Sequence, residues 1–174
     1  ANRAQGLHMA VVGFDPFFDP AQAEKLGIQS TGLDELLKTS DFITVHTPLN
    51  DATRHLISDS QVQQMKEGVI VINCARGGIY DEGALLRGLE KGIIQGVALD
   101  VFVEEPPTEN PLVNHDSVVC TPHLGASTVE AQVQVAVDIA EQFEAFAQGQ
   151  PAKHAINRPR IASSELKAIE PYIP

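Results

Sequence analysis

An arginine stands directly after an apolar run: residues 70–73 (IVIN) lead into Cys74, Ala75, Arg76, Gly77 and Gly78. β-formers that stop at a charged, glycine-hinged loop are what an open α/β sheet presents at its carboxyl edge, where ligands bind. Two acids end apolar runs in the same way, Asp15 after residues 8–14 and Asp100 after residues 96–99. Glu104 and Glu105 lie in a polar loop continued by Pro106 and Pro107, and His123 follows a further apolar run. The other histidines, His8, His46, His55, His115 and His154, read as structural; with no metal-ligand spacing among them, no metal site is expected. Cys74 and Cys120 each end a run predicted to be a buried strand. With no CxxC pair and no base beside Cys74, they read as free, inert thiols of a reducing compartment.

Such residues need a scaffold that brings strand ends together, and the chain alternates accordingly. Residues 8–14 predict a buried strand ending at Asp15-Pro16. Asp19-Pro20 pairs an N-cap with a proline at the first helical position, and Gly27 sits where a C-cap glycine belongs. A helix over 33–39 carries Leu33, Leu36 and Leu37 on one face, and residues 42–46 form the next strand, closed by Thr47-Pro48. Ser58-x-x-Gln61 predicts a capping box on a helix that buries Val62 and Met65 and ends at Gly68, before the strand that leads to Arg76. Asp81 caps a helix with Leu85, Leu86 and Leu89 inside and Gly92 beyond. Strands follow at 96–99 and 117–120. Ser127-x-x-Glu130 then predicts a second capping box, on a long helix with Val129, Val133, Ala136, Ala140, Phe143 and Ala147 on one face.

Strands alternating with helices at this spacing imply an α/β fold with a parallel, right-handed, doubly wound sheet. The periodicity breaks at Pro151, so the boundary is placed there: residues 1–150 form the α/β domain, and residues 151–174 begin another, with a short helix expected at 164–170.

Composition narrows the partners. The chain has 174 residues, 43% of them hydrophobic, enough for one domain with its own core. Its formal net charge of -11 would repel a phosphate backbone, which argues against nucleic acid and anionic membranes. No apolar run approaches the length of a membrane span and the first residues lack the apolar core of a signal peptide, so the cytoplasm is the expected location.

A dinucleotide-binding sheet carries G-x-G-x-x-G in its first βα turn, with an acid about 20 residues later for the ribose hydroxyls. The fingerprint is missing. If Asp15 is that acid, the glycine loop falls ahead of residue 1, residues 1–5 end the helix that follows the loop, and Gly6 is its C-cap. The alternative, that Asp15 is a turn acid after a strand, stays open.

Four stretches taken together are more specific: residues 42–49 (FITVHTPL), 73–82 (NCARGGIYDE), 96–106 (GVALDVFVEEP) and 121–127 (TPHLGAS). In this order and spacing they resemble the D-2-hydroxyacid dehydrogenases, over residues 6–157, and the continuation at 128–132 (TVEAQ) tilts the resemblance to the phosphoglycerate members of that family. The resemblance implies a Rossmann-like NAD-binding domain that lacks its first βα segment, followed by a stub of the substrate-binding domain. It also implies residue roles. Arg76 matches the substrate arginine, a guanidinium fork suited to a carboxylate with an adjacent carbonyl. His123 matches the acid/base, and Glu105 the carboxylate that orients it and favours imidazolium. For NAD, the resemblance assigns Asp15 to the adenosine ribose, Thr47 and Pro48 to the nucleotide pocket, and Cys74 and Ala75 to backbone contacts near the nicotinamide. Asp100 falls to the carboxamide, Gly125 and Ala126 lie beside the ring, and Arg76 and His123 count among the cofactor contacts as well. An acid at position 15 favours NAD over NADP, because it would repel a 2′-phosphate.

The activity implied is hydride transfer between NAD and a small 2-hydroxy acid, with 3-phosphoglycerate favoured, in a homo-oligomeric oxidoreductase of serine biosynthesis. Three alternatives stand beside it: a dehydrogenase for glycerate, glyoxylate or lactate, an NAD-sensing corepressor-like protein, and a fragment inactive by itself.

Overall fold

The computed structural model describes residues 1–150. In chain order these form α1 (Asn2–Gly6), β1 (Val12–Gly13), α2 (Pro20–Lys25), β2 (Gln29–Ser30), α3 (Leu33–Thr39), β3 (Phe42–Val45) and α4 (Asp59–Val62). They continue as β4 (Val69–Asn73), α5 (Glu82–Glu90), β5 (Ile94–Leu99), a 3-10 turn (Pro111–Asn114), β6 (Val118–Cys120) and α6 (Val129–Ala147). The Pro151 boundary and the helix expected at 164–170 lie outside the described residues. The chain divides into two compact units, one of residues 1–125 and one that starts at Ala126.

In the first unit β3, β4, β5 and β6 make a four-stranded sheet in that order, parallel throughout, as the alternation predicts. A single row of the register crosses the whole sheet: Val45 pairs with Asn73, Asn73 with Leu99, and Leu99 with Cys120. The residues one step further along each strand therefore share one edge: His46, Cys74, Asp100 and Thr121.

Alternation along the strands sets the core. Ile43 and Val45, Val69 and Val71, and Val97 and Leu99 turn to one face, where they meet Leu37 of α3, Val62 of α4 and Leu85 and Leu89 of α5. Leu37, Val69, Val71 and Leu85 are fully buried, each contributing about 1.5–3 kcal/mol through the removal of its apolar surface from water. The helix ends are held as their sequences suggest. Asp19 accepts from the Ala21 N–H at 2.9 Å, Asp81 accepts from the Ala84 N–H at 2.9 Å, and the Ser58 N–H donates to Gln61 Oε1 at 3.1 Å.

Several expectations change. The strand predicted over 8–14 is reduced to β1, half-buried rather than buried, and it pairs with β2 in a separate two-stranded sheet. A strand as short and polar as β2 has no periodicity to announce it. Gly6 ends α1 as a helical residue rather than capping it, and the left-handed residue beyond is His8, at φ 59°. The helix carrying Val62 stops there instead of at Gly68; both Val62 and Met65 are buried nonetheless.

The second unit carries α6, and its cap lies one residue later than predicted: Thr128, not Ser127, accepts from the Ala131 N–H at 3.1 Å. None of the α6 residues is buried. Among the described residues, no helix is long and apolar enough to cross a membrane.

Candidate functional site

The edge defined by the register row gathers most of the residues that the sequence singled out. β4 stops at Asn73, whose side chain, 2% exposed, bridges the turn beyond it. Its Oδ1 accepts from the Ala75 N–H at 3.0 Å and its Nδ2 donates to the Arg76 carbonyl at 2.9 Å. The loop bearing Arg76 is thus laced to the sheet by the last residue of its own strand. Arg76 itself is exposed; its guanidinium donates to the Ala75 carbonyl at 2.6 Å and makes no ion pair among the described residues. It shares a groove of about 660 Å³ with His46, Thr47, Pro48, Cys74 and Ala75.

Cys74 is exposed rather than buried, because the strand ends one residue before it. It and the half-buried Cys120 are both free thiols. Desolvation, and after it the Asp100 carboxylate, push the Cys74 thiol above its usual range, which is the opposite of an activated nucleophile. Burial likewise pushes Cys120 up.

Asp100, one residue beyond β5, is 4% exposed and organises the turn after β6. Its Oδ1 accepts from the Thr121 hydroxyl and from the Leu124 N–H at 2.7 Å, and its Oδ2 accepts from the Gly125 N–H at 2.7 Å. Between these anchors His123 has a left-handed backbone, φ 56°. Burial alone would raise the Asp100 pKa; the hydrogen bonds from Thr121, Leu124 and Gly125, with His123 nearby, outweigh it and hold the carboxyl below the usual range.

A group with a lowered native pKa stabilises the fold above its unfolded-state pKa, and that contribution is lost as the pH falls through the native value. Asp100→Asn turns one acceptor into a donor facing another donor. It is expected to cost about 1–3 kcal/mol at pH 7. Urea unfolding should give a smaller gap between the variant and the parent as the pH drops below about 3.9, the ordinary aspartate value.

His123 meets Glu105 from the same turn. Its Nδ1 lies 2.8 Å from Glu105 Oε2, and Glu105 Oε1 accepts from the Phe102 N–H at 3.1 Å. The hydrogen bond to His123, followed by that from Phe102, holds the Glu105 carboxyl below its usual range. Glu104, the neighbouring acid, makes no such contact among the described residues and lines a different cleft.

Two glycines join these pieces. A Cβ on Gly77 would fall 1.9 Å from the Phe102 carbonyl oxygen, so the Arg76 loop lies directly on the backbone that leads to Glu105. A Cβ on Gly125 would be 3.0 Å from Asp100 Oδ2 and 3.8 Å from the Cys74 carbonyl, which brings the His123 turn to the end of β4.

The structure therefore gathers Thr47, Pro48, Cys74, Ala75 and Arg76 in one groove, and Asp100, Glu105, His123 and Gly125 in one hydrogen-bonded cluster beside it. Asp15 stands apart, exposed on the turn after β1, where one carboxylate oxygen accepts from the Phe17 N–H at 2.8 Å. Ala126 belongs to the second unit. Asn73 and Thr121 were not singled out by the sequence. A buried asparagine closing an apolar strand was the available signal for the first; the second acts through Asp100, distant in the chain. No group of three or more His, Cys, Asp or Glu among the described residues could hold a metal ion.

This arrangement has close relatives. The chain is 49% identical to D-3-phosphoglycerate dehydrogenase of Bacillus subtilis and 47% identical to that of Rattus norvegicus, in each case over 99% of this chain but only 33% and 32% of the relative. It spans about a third of the length of these curated relatives. The D-lactate dehydrogenase of Aquifex aeolicus, solved with NAD and lactic acid, superposes with a TM-score of 0.74 at 31% identity, covering 85% of this chain and 49% of that one. Residues 1–125 match the family model described as D-isomer specific 2-hydroxyacid dehydrogenase, NAD binding domain. With a parallel sheet of Rossmann type, a strand-end arginine and a histidine–glutamate pair at its carboxyl edge, the chain belongs to the NAD-binding domain family of the D-isomer specific 2-hydroxyacid dehydrogenases.

Proposed function

We propose that the chain forms the nucleotide-binding half of an NAD-dependent dehydrogenase that interconverts D-3-phosphoglycerate and 3-phosphohydroxypyruvate, the entry to serine biosynthesis. Residues 1–150 are the NAD-binding domain and residues 151–174 begin the substrate domain. The observation that carries this reading is the His123–Glu105 contact of 2.8 Å at the same sheet edge as Arg76, which makes no ion pair among the described residues. The names of the relatives support phosphoglycerate as the substrate.

The residues present fit such a cofactor: a groove open at the carboxyl ends of parallel strands and an exposed acid at Asp15 that suits ribose hydroxyls. Bound NAD would exchange a hydride with C2 of the substrate. Arg76 binds the substrate carboxylate through its fork of N–H donors and fixes the adjacent C2. His123, held at Nδ1 by Glu105, has Nε2 to exchange a proton with the oxygen on C2: it takes the hydroxyl proton as the alcohol is oxidised and returns it in the reverse direction. Asp100 keeps the turn that carries His123 in place. Thr47, Pro48 and the backbone at Cys74 and Ala75 line the nucleotide groove, with Gly125 beside the ring. The working form is a cytoplasmic homo-oligomer.

Steady-state assays on the intact protein test this reading. Phosphohydroxypyruvate is expected to be reduced with NADH at a higher kcat/KM than pyruvate or glyoxylate. Arg76→Ala should raise KM for the 2-oxo acid at least about tenfold, the loss of one charge-assisted bidentate contact, with the Kd for NADH within about twofold of the parent. Parent-like KM in that variant, or no reduction of phosphohydroxypyruvate by the parent, overturns the assignment.

A further inference from the structure

Glu105 is placed by a loop, and the loop is tied down by an acid outside the site. Glu82, the first residue of α5, is half-buried and accepts two hydrogen bonds from that loop. The Val103 N–H donates to its Oε1 at 2.8 Å, and Asn110 Nδ2 donates to its Oε2 at 2.7 Å. Glu105 lies between these two tie points.

Each tie point is itself anchored in the core. Val103 follows Phe102, 5% exposed, whose N–H donates to Glu105 and whose carbonyl packs on Gly77. Asn110 caps the 3-10 turn, its Oδ1 accepting from the N–H of the fully buried Leu112 at 3.0 Å. Glu82 is fixed in turn by α5, through the Asp81 cap and the buried Leu85.

We infer that Glu82 is a positioning residue for the acid–base pair: its carboxylate clasps both shoulders of the loop and so sets Glu105 against His123. The inference rests on the role proposed above for that pair. The chemistry suits a clasp rather than a ligand site. Both donors to Glu82 are neutral, no cation pairs with it among the described residues, and the cleft it lines also holds Glu104 and Glu109. A carboxylate offers a separate acceptor oxygen to each of the two donors, which a methyl group in its place could not do. The charged groups that act on Glu105 are His123 and Asp100.

The test uses Glu82→Ala and Glu82→Gln in the intact protein. Glu82→Ala is expected to lower kcat/KM for reduction of the 2-oxo acid by about tenfold or more, since small misplacements of a catalytic group are costly. It should also move the Glu105 carboxyl midpoint, followed by 13C NMR, upward, as the hydrogen bonds from His123 and Phe102 loosen. Glu82→Gln keeps an oxygen that accepts from Val103 but turns its NH2 toward the Asn110 amide, so both properties should fall between those of the parent and of Glu82→Ala. A folded Glu82→Ala with parent-like kcat/KM and an unmoved Glu105 midpoint overturns the inference, even if its melting temperature is lower. Where Glu82→Ala fails to fold, Asn110→Ser removes one tie but can still cap the 3-10 turn. It should shift the Glu105 midpoint in the same direction, and an unmoved midpoint is again fatal. The midpoint is read without turnover, so a parent protein with no dehydrogenase activity would sink the proposed reaction while leaving the clasp tested on its own.

Discussion

His123→Asn in the intact protein is expected to lower kcat for reduction of the 2-oxo acid by about 10²–10⁴-fold, the usual worth of a positioned general acid. Asparagine is the informative replacement because of the backbone. His123 sits at φ 56°, a region that asparagine tolerates better than most residues, so the turn held by Asp100 can persist while the proton donor is lost. The loss should therefore fall on kcat, with NADH binding and the melting temperature close to the parent's. Titration of NADH by fluorescence, thermal melts and stopped-flow reduction separate these quantities. Turnover within about threefold of the parent would remove His123 from the acid–base role.

The second large effect belongs to a residue with no side chain. Gly77→Ala would place a methyl group 1.9 Å from the Phe102 carbonyl oxygen, 2.1 Å from its carbon and 2.6 Å from the Val103 nitrogen. These are backbone atoms, so no rotamer change can relieve the overlap, and the Arg76 loop must separate from the segment leading to Glu105. A destabilisation of about 1–3 kcal/mol or more is expected by urea unfolding, as for other overpacked sites. Because the same contact joins Arg76, proposed to bind the substrate, to the segment leading to the proposed acid–base pair, kcat/KM should fall with it. Gly6→Ala provides the contrast. Nothing lies within 4 Å of a Cβ there and the residue is helical, so that change should be neutral or slightly stabilising. Equal unfolding midpoints for the two variants would contradict the packing at Gly77.

Much of the scaffold was legible because its signals are local. Leu33, Leu36 and Leu37 mark the helix over α3 without help from distant residues, and Asp81 with Gly92 brackets α5. The same locality limits the reading. Ser127 and Thr128 are adjacent and chemically equivalent as caps, and only the backbone shows that Thr128 is the one that accepts. The run at 8–14 has the composition of a buried strand, yet a strand needs neighbours, and here it finds only the short pair with β2.

The site divides along the same line. Which residues stand at strand ends, Arg76, Asp100 and His123 among them, is a property of the sequence, since apolar runs and their breaks are encoded residue by residue. That they form one site is not. Asp100 reaches Leu124 and Gly125 across 24 and 25 positions, Glu105 meets His123 across 18, and Glu82 holds Val103 across 21. Those partners are chosen by the register row from Val45 to Cys120, which levels four strand ends, and by the close approach at Gly77. Hydrogen bonds depend on distance and angle in space, so their partners were decided only once the sheet had brought these loops together.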